Sequence, residues 1–177
     1  MLKARSTLVI FMILAVAASR LIPHPPNMTS VAAMALFGGA MLDDRRLAFA
    51  VPLGAMFLSD LLLGFHDMMF IVYGTFALIV CIGLWLQRHR SAATIAGAAI
   101  VSSLLFFVTT NFGVWALDHM YPHTLTGLVA CYTAALPFLR NTLEGDLLYT
   151  LVLFGGFAVL EWQFPKLRLE QHAAIPV

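Results

Sequence analysis

The sequence predicts an all-α integral membrane protein with a single domain, and three observations carry that prediction. Of the 177 residues, 61% are apolar and 11% are charged, and the mean hydropathy is +0.90. Soluble domains average about 45–50% apolar and about 25% charged. The few charges sit between long uncharged runs. Six spans of roughly 20 residues would use about 120 of them. That leaves short loops and no sizeable soluble part, so one domain, 1–177, accounts for the chain. Ten Lys and Arg against nine Asp and Glu give a net charge of +1, which is no basic field for nucleic acid. Two cysteines, both within apolar runs, make no disulfide framework. Soluble enzymes, nucleic-acid binders and disordered regulators are excluded.

The uncharged runs place six transmembrane helices: about Ser6–Ile22, Ser30–Leu42, Leu47–Gly64, Met68–Leu86, Ala92–Leu117 and Asp146–Phe164. The second is short for a full crossing, which fits a helix buried among its neighbours. A seventh apolar run, Thr124–Leu139, contains Pro137 and is marginal at about 16 residues. Charge decides its reading. With six spans and both termini cytoplasmic, the inner segments hold Lys3, Arg5, Arg45, Arg46, Arg88, Arg90, Lys166 and Arg168. The outer segments hold Arg20 and Arg140, so the count is eight against two. That is the bias expected of inward-facing loops, and a seventh span would move Lys166 and Arg168 outside. Thr124–Leu139 therefore reads as a re-entrant or surface-lying part of an outer capping segment at about 118–145. Irregular backbone at membrane depth is tolerated where protein buries it. The N-terminus has a competing reading as a cleavable signal peptide, from Lys3 and Arg5, the apolar run and Ala15-Val16-Ala17. Cleavage would leave five spans in the same orientation. Ala15 and Ser19 also form a small-residue face suited to close helix packing.

The polar residues gather toward one face of this arrangement. Ser59 and Asp60 end the third span, and His66 and Asp67 form the next turn. Tyr73 begins the fourth. Thr109, Thr110, Asn111 and Trp115 lie in the outer half of the fifth. Asp118, His119, Tyr121, His123, Tyr132, Arg140, Asn141, Glu144 and Asp146 follow, and His24 and Asn27 lie in the first outer loop. Gln87, His89, Glu161 and Gln163 mark the opposite boundary. Polar groups in a bilayer are costly unless they pair or face a cavity. One-sided clustering points to a cavity open to the outside, as in a binding protein or carrier. A channel needs a polar path all the way through.

Each of these residues also has a structural reading. Asp60 fits a helix cap or an interhelical pair, and Asn111 an interhelical hydrogen bond. Trp115 and Tyr121 fit an interfacial belt, and Asn141 with Glu144 has capping-box spacing for the sixth helix. Arg45 and Arg46 are topology signals. Asp118, His119 and His123 have metal-ligand spacing if that stretch is helical, with His66 and Asp67 as further ligands. Pro122 weakens that reading, and solvated loop histidines are the alternative. Cys81 reads either as a small buried hydrophobe or as a soft ligand for a transition metal. Tyr73 precedes it by eight residues, about 80° away around the helix. Cys131 reads as packing.

Ala35-Leu36-Phe37-Gly38-Gly39, Val51-Pro52-Leu53, Ser59-Asp60-Leu61-Leu62-Leu63-Gly64, Thr110-Asn111-Phe112-Gly113-Val114-Trp115, Tyr121-Pro122 with Gly127-Leu128, and Ala135-Leu136-Pro137-Phe138 form a recurring pattern over about residues 30–156. In it the chain resembles the BtuM-type vitamin B12 transporters, which are similar to S-components of energy-coupling-factor (ECF) transporters. The resemblance implies a six-helix S-component-like fold in a bacterial cytoplasmic membrane, with an outward-facing pocket for cobalamin. It puts a fourth-helix cysteine, here Cys81, on the cobalt as an axial thiolate, holding cobalamin base-off. Strong thiolate donation would also labilise an upper cyanide, so decyanation of cyanocobalamin through Cys81 is an implied activity. Tyr73, Asn111, Tyr132 and the outer-loop backbone are the implied hydrogen-bonding groups of the pocket, Trp115, Phe106 and Tyr121 the ring-packing residues, and Asp60 a further substrate-binding residue. Partners implied are cobalamin, membrane lipid and an ECF-type ATPase module docking on Ala15, Ala18 and Ser19. The chain has no GxxxxGK[ST] phosphate loop of its own. Two alternatives stand beside this reading: an S-component-like carrier of another vitamin or a metal ion, and a membrane thiol enzyme. A fourth helix starting at Met68 would put Cys81 about 20 Å deep, past the midplane of a roughly 30 Å core.

Overall fold

The computed structural model describes residues 4–65 and 67–167. Lys3, His66 and Arg168 lie outside the described residues. The first helix, α1 (Ala4–Ala17), continues into a tighter turn, Ala18–Leu21. Then come α2 (Val31–Met41), α3 (Arg45–Leu63), α4 (Met69–Leu86), α5 (Ala92–Leu117) and α6 (Leu125–Thr150). A π-turn, Leu151–Gly155, joins α6 to α7 (Gly156–Gln163), and a short turn, Pro165–Leu167, follows. Among the described residues, five helical stretches are long and apolar enough to cross a membrane: 4–21, 45–63, 69–86, 92–117 and 125–163. The chain is thus an all-helical, multi-pass membrane protein.

α2 is the hub. All 11 of its residues are buried, and it touches α1, α3, α4, α5 and α6. Its sequence, VAAMALFGGAM, has no polar side chain to satisfy and small residues wherever a neighbour comes close. Enclosed by protein, it need not match the bilayer thickness, which explains its brevity. The tightest approach is between α2 and α4. A Cβ on Gly39 would strike the carbonyl of Val80 and lie 2.9 Å from Gly83 Cα, and a Cβ on Gly83 would strike the carbonyl of Leu36. Two glycines at the crossing let the backbones meet, the usual device where helices pack in lipid. Gln87 Nε2 donates to the carbonyls of Gly39 and Leu42, 2.9 Å each, and so satisfies acceptors at the end of α2 that the helix itself cannot. Phe37 adds edge-to-face contacts with Phe154 and Phe157.

The helix ends are set by local chemistry. The Asp44 side chain accepts from Arg46 N–H and starts α3. Ser91 and Thr94 form a reciprocal capping box at α5. Gly64 ends α3 with φ +98°, a conformation side chains resist.

The end of the chain corrects the expectation most. Thr124–Leu139 is not a re-entrant or capping element, and no helix begins at Asp146. Thr124 caps a helix that runs from Leu125 to Gln163, 39 residues with its π-turn. Pro137 lies inside it. The charges that interrupted the apolar run are compatible with helix. Arg140 and Glu144 pair one turn apart at 2.7 Å in the open, and Asp146 turns inward, 2% exposed. Asn141 and Glu144 are therefore mid-helix, not a cap. At 1.5 Å per residue the whole helix is roughly 58 Å long, more than a roughly 30 Å core accommodates even when tilted.

Arg5 of α1 pairs with Glu161 of α7 and donates to the carbonyl of Leu167 at 2.9 Å. The first and last described helices thus start and finish at the same end of the bundle. Arg5 is 5% exposed, its guanidinium 4.7 Å above the Phe157 ring centroid, so it is a packed residue and not a loop charge.

Candidate functional site

At the opposite end, a polar network assembles from three elements. Arg20, in the turn after α1, reaches α3 through three groups. Its Nη2 lies 2.8 Å from Asp60 Oδ1, and its Nη1 donates to Ser59 Oγ and to the carbonyl of Met56 at 3.2 Å. Tyr73 of α4 donates its hydroxyl to the other oxygen of Asp60, at 2.7 Å. Asp60 is 2% exposed, so both its oxygens are satisfied by protein and its charge is cancelled by Arg20. The pairing reading of Asp60 is the one the structure shows.

Arg20 also borders a cavity of about 280 Å³. The cavity is lined by Asn27 and Thr29 of the loop before α2, Val31 and Ala32 of α2, and Val72 and Phe76 of α4. Phe106 of α5, with Thr142 and Asp146 of α6, completes it. Asn27 is exposed, so the cavity reaches the surface. The loop is pinned in place. Asn141 Nδ2 donates to the carbonyl of Pro26 at 2.9 Å, and Met28 packs on Gly145, where a Cβ would lie 3.1 Å from Met28 Cγ. Asn27 takes φ 63°, a conformation asparagine tolerates better than most residues.

Two features give the cavity its chemistry. Phe76 and Phe106 stack with centroids 5.2 Å apart and planes at 24°. Behind them Thr75 and Thr109 share a hydrogen bond of 2.8 Å between α4 and α5. Asp146 accepts from Ser103 of α5 at 2.6 Å. Among the described residues no cation pairs with it. The cavity therefore holds one neutralised arginine, one carboxyl with a single hydroxyl partner, two aromatic rings and three uncharged polar side chains.

The residues expected to line a pocket are only partly brought together. Asp60 and Tyr73 stand behind Arg20 and position it. Asn111, Trp115 and Tyr132 serve the α5–α6 hairpin instead. Asn111 Nδ2 donates to the carbonyl of Phe107, one turn back, at 2.8 Å. Tyr132 donates to the carbonyl of Val108 at 2.7 Å, and Trp115 Nε1 to that of Pro122 at 3.1 Å. Tyr121 is half-buried in the connecting loop. Cys131 is buried, its thiol 3.5 Å from the carbonyl of Asn111, as a packing residue would be.

Cys81 is exposed. The buried residues of α4 are Thr75, Phe76, Ile79, Val80, Gly83 and Leu86. At 100° per residue, Cys81 lies roughly 180° from the middle of that face. Its thiol points away from the bundle and does not reach the cavity. Among the described residues no three His, Cys, Asp or Glu side chains gather as a metal site. Asp118 Oδ1 accepts from His119 N–H at 2.7 Å, and His123 packs on Trp115.

The sequence reading missed Arg20, Ser103, Thr142 and Asp146 as site residues. Arg20 carried a signal: a basic residue at the outer boundary, against the charge bias, needs a partner. Asp146 carried one too, as an acid flanked by apolar residues, but it was read as the start of a helix.

The chain belongs to DUF6580, a family of unknown function, which matches it over residues 1–167. No curated protein and no solved structure matches it.

Proposed function

We propose that this member of DUF6580 is a membrane uptake protein that binds a small solute in the cavity beside Arg20 and Asp146. One observation carries the reading: a cavity within an apolar bundle is lined by an arginine held in place by Asp60 and by a carboxyl that, among the described residues, has no cation. Buried ionisable groups in membrane spans are expensive and mark solute or ion paths. A helix tie alone needs no cavity. The eight-to-two distribution of basic residues supports an inner-membrane orientation with both termini cytoplasmic and the cavity facing outward. An S-component-like architecture, and docking of a separate ATPase module on exposed Ala15 and Ala18, belong to the same reading.

The test is co-purification. Wild type and Thr142→Trp, which fills the cavity, are isolated from the same cells and their bound small molecules released and compared by mass spectrometry. A solute stoichiometric with the wild type and absent from the variant is the expected result. Identical contents in both overturn the proposal.

The corrinoid reading is a second one; it rests on the motifs shared with the BtuM-type transporters, while Cys81 is exposed on the side of α4 that faces away from the bundle. Cobalamin is several times larger than the cavity, and Cys81 is not in it, so cobalt ligation would occur on the side of α4 that points away from the bundle. Desalted protein incubated with cyanocobalamin, beside Cys81→Ser, tests it. A shifted corrin spectrum that the variant loses, with free cyanide released, supports it. No retained corrinoid removes it and leaves the cavity reading intact.

A further inference from the structure

We infer that the ligand of this cavity carries a cationic or N–H-donating nitrogen attached to a flat ring, the nitrogen pairing with Asp146 and the ring lying against Phe76 and Phe106. The inference rests on the proposed binding role of the cavity and names its substrate class.

The two charged side chains at the cavity are not equivalent. Arg20 is matched: Asp60 cancels its charge at 2.8 Å, with Ser59 and the Met56 carbonyl taking further donors. An incoming anion would compete with a carboxylate already in place. Asp146 is unmatched. It is 2% exposed, and its one hydrogen bond comes from the Ser103 hydroxyl. A carboxyl so enclosed gains most from a partner that donates hydrogen bonds or brings positive charge. Ser103 also donates to the carbonyl of Ala99 in the same helix, at 3.1 Å, so the one hydroxyl is divided between two acceptors. The rings point the same way. The faces of stacked phenyl rings attract cations and flat electron-poor rings, and this pair lies between α4 and α5 on the cavity wall. Asn27, Thr29 and Thr142 add neutral groups that orient a ligand without discriminating charge. A monocyclic ring with one basic substituent fits within about 280 Å³.

The experiment uses the full chain in lipid nanodiscs and three probes of matched size: benzamidine, benzyl alcohol and benzoate. Binding is read by calorimetry and by the unfolding midpoint. Benzamidine is expected to bind at least tenfold more tightly than either of the others. Asp146→Asn should remove that preference while leaving the ligand-free midpoint near wild type, since asparagine can keep the Ser103 hydrogen bond. Glu144→Gln serves as the control: it removes an exposed carboxylate on the same helix but outside the cavity, and should keep the preference. A preference for benzoate, or an Asp146→Asn protein that still prefers benzamidine, overturns the inference and leaves a binding cavity of the opposite or of no charge selectivity. Failure of all three probes, together with no co-purifying solute, overturns the binding role itself.

Discussion

Arg5 and Arg20 sit at the two ends of the first helical segment, and each forms an ion pair with a carboxylate from a distant part of the chain. Their surroundings differ. Arg5 is closed in: Glu161, the Leu167 carbonyl, the Met41 sulfur and the Phe157 ring occupy its sides. It ties the start of α1 to the end of α7. Arg20 is held from one side, by α3 and, through Asp60, α4. Its other side borders a cavity that Asp146 also lines. The same residue type seals one end of the bundle and opens the other. What separates them is not burial but whether protein fills the space beyond the guanidinium.

That comparison can be broken in several ways. The largest effect should come from Gly39→Val, because both ends depend on α2 staying against α4. With backbone atoms where the new Cβ would go, the bundle cannot close, and folded monomer should be lost from size-exclusion profiles. Gly97→Ala, which meets open space in α5, should instead raise the midpoint slightly, by at most about 1 kcal/mol.

Next in size is removal of the carboxylates. Asp60→Ala leaves a nearly buried arginine unpaired, a change that costs about 3–5 kcal/mol in soluble proteins. It should also weaken ligand binding, since Arg20 loses its anchor. Glu161→Ala should cost a similar amount, because it leaves Arg5, 5% exposed, without its carboxylate. It should leave ligand binding unchanged. Denaturation midpoints and calorimetry on both variants separate the two ends. Equal loss of binding in both would show that the ends are not functionally distinct.

Cysteine labelling gives a sharper, smaller test. In detergent-solubilised protein Cys81 should react with a maleimide before unfolding, and Cys131 only after it. Protection of Cys81 by a cavity ligand would contradict its placement on the outward face. Smallest of all is Tyr73→Phe, which removes one hydrogen bond to Asp60. Such interhelical bonds are worth about 0.6 kcal/mol on average in membrane proteins. A loss far above that would mean that the Arg20–Asp60 pair depends on Tyr73 to hold its geometry.

Much of the fold was legible in order and extent. The fifth span, Ala92–Leu117, coincides with α5, and the starts and stops of α2, α3 and α4 fall within two residues of expectation. The last helix was not legible, because Arg140, Glu144 and Asp146 interrupt the apolar run that marks a span. A charge can stay in a helix when its partner sits one turn away or when it turns inward, and neither shows in hydropathy. Of the expected site residues, Asp60 and Tyr73 do meet, behind Arg20 and outside the cavity lining. Cys81 does not, because α4 is apolar on every side, so its sequence carries no periodic signal of which face is inward.

The sequence by itself determined that this chain lives in a membrane as helices, since apolar length and sparse charge decide partition between water and lipid whatever the packing. The tertiary structure alone decided which polar groups meet. Ser103 finds Asp146, and Arg20 finds Asp60, across loops and between different helices. In lipid each such group must find a partner inside the protein, and the rotation of each helix, fixed by glycine contacts and by the neighbours of α2, sets which partner it is.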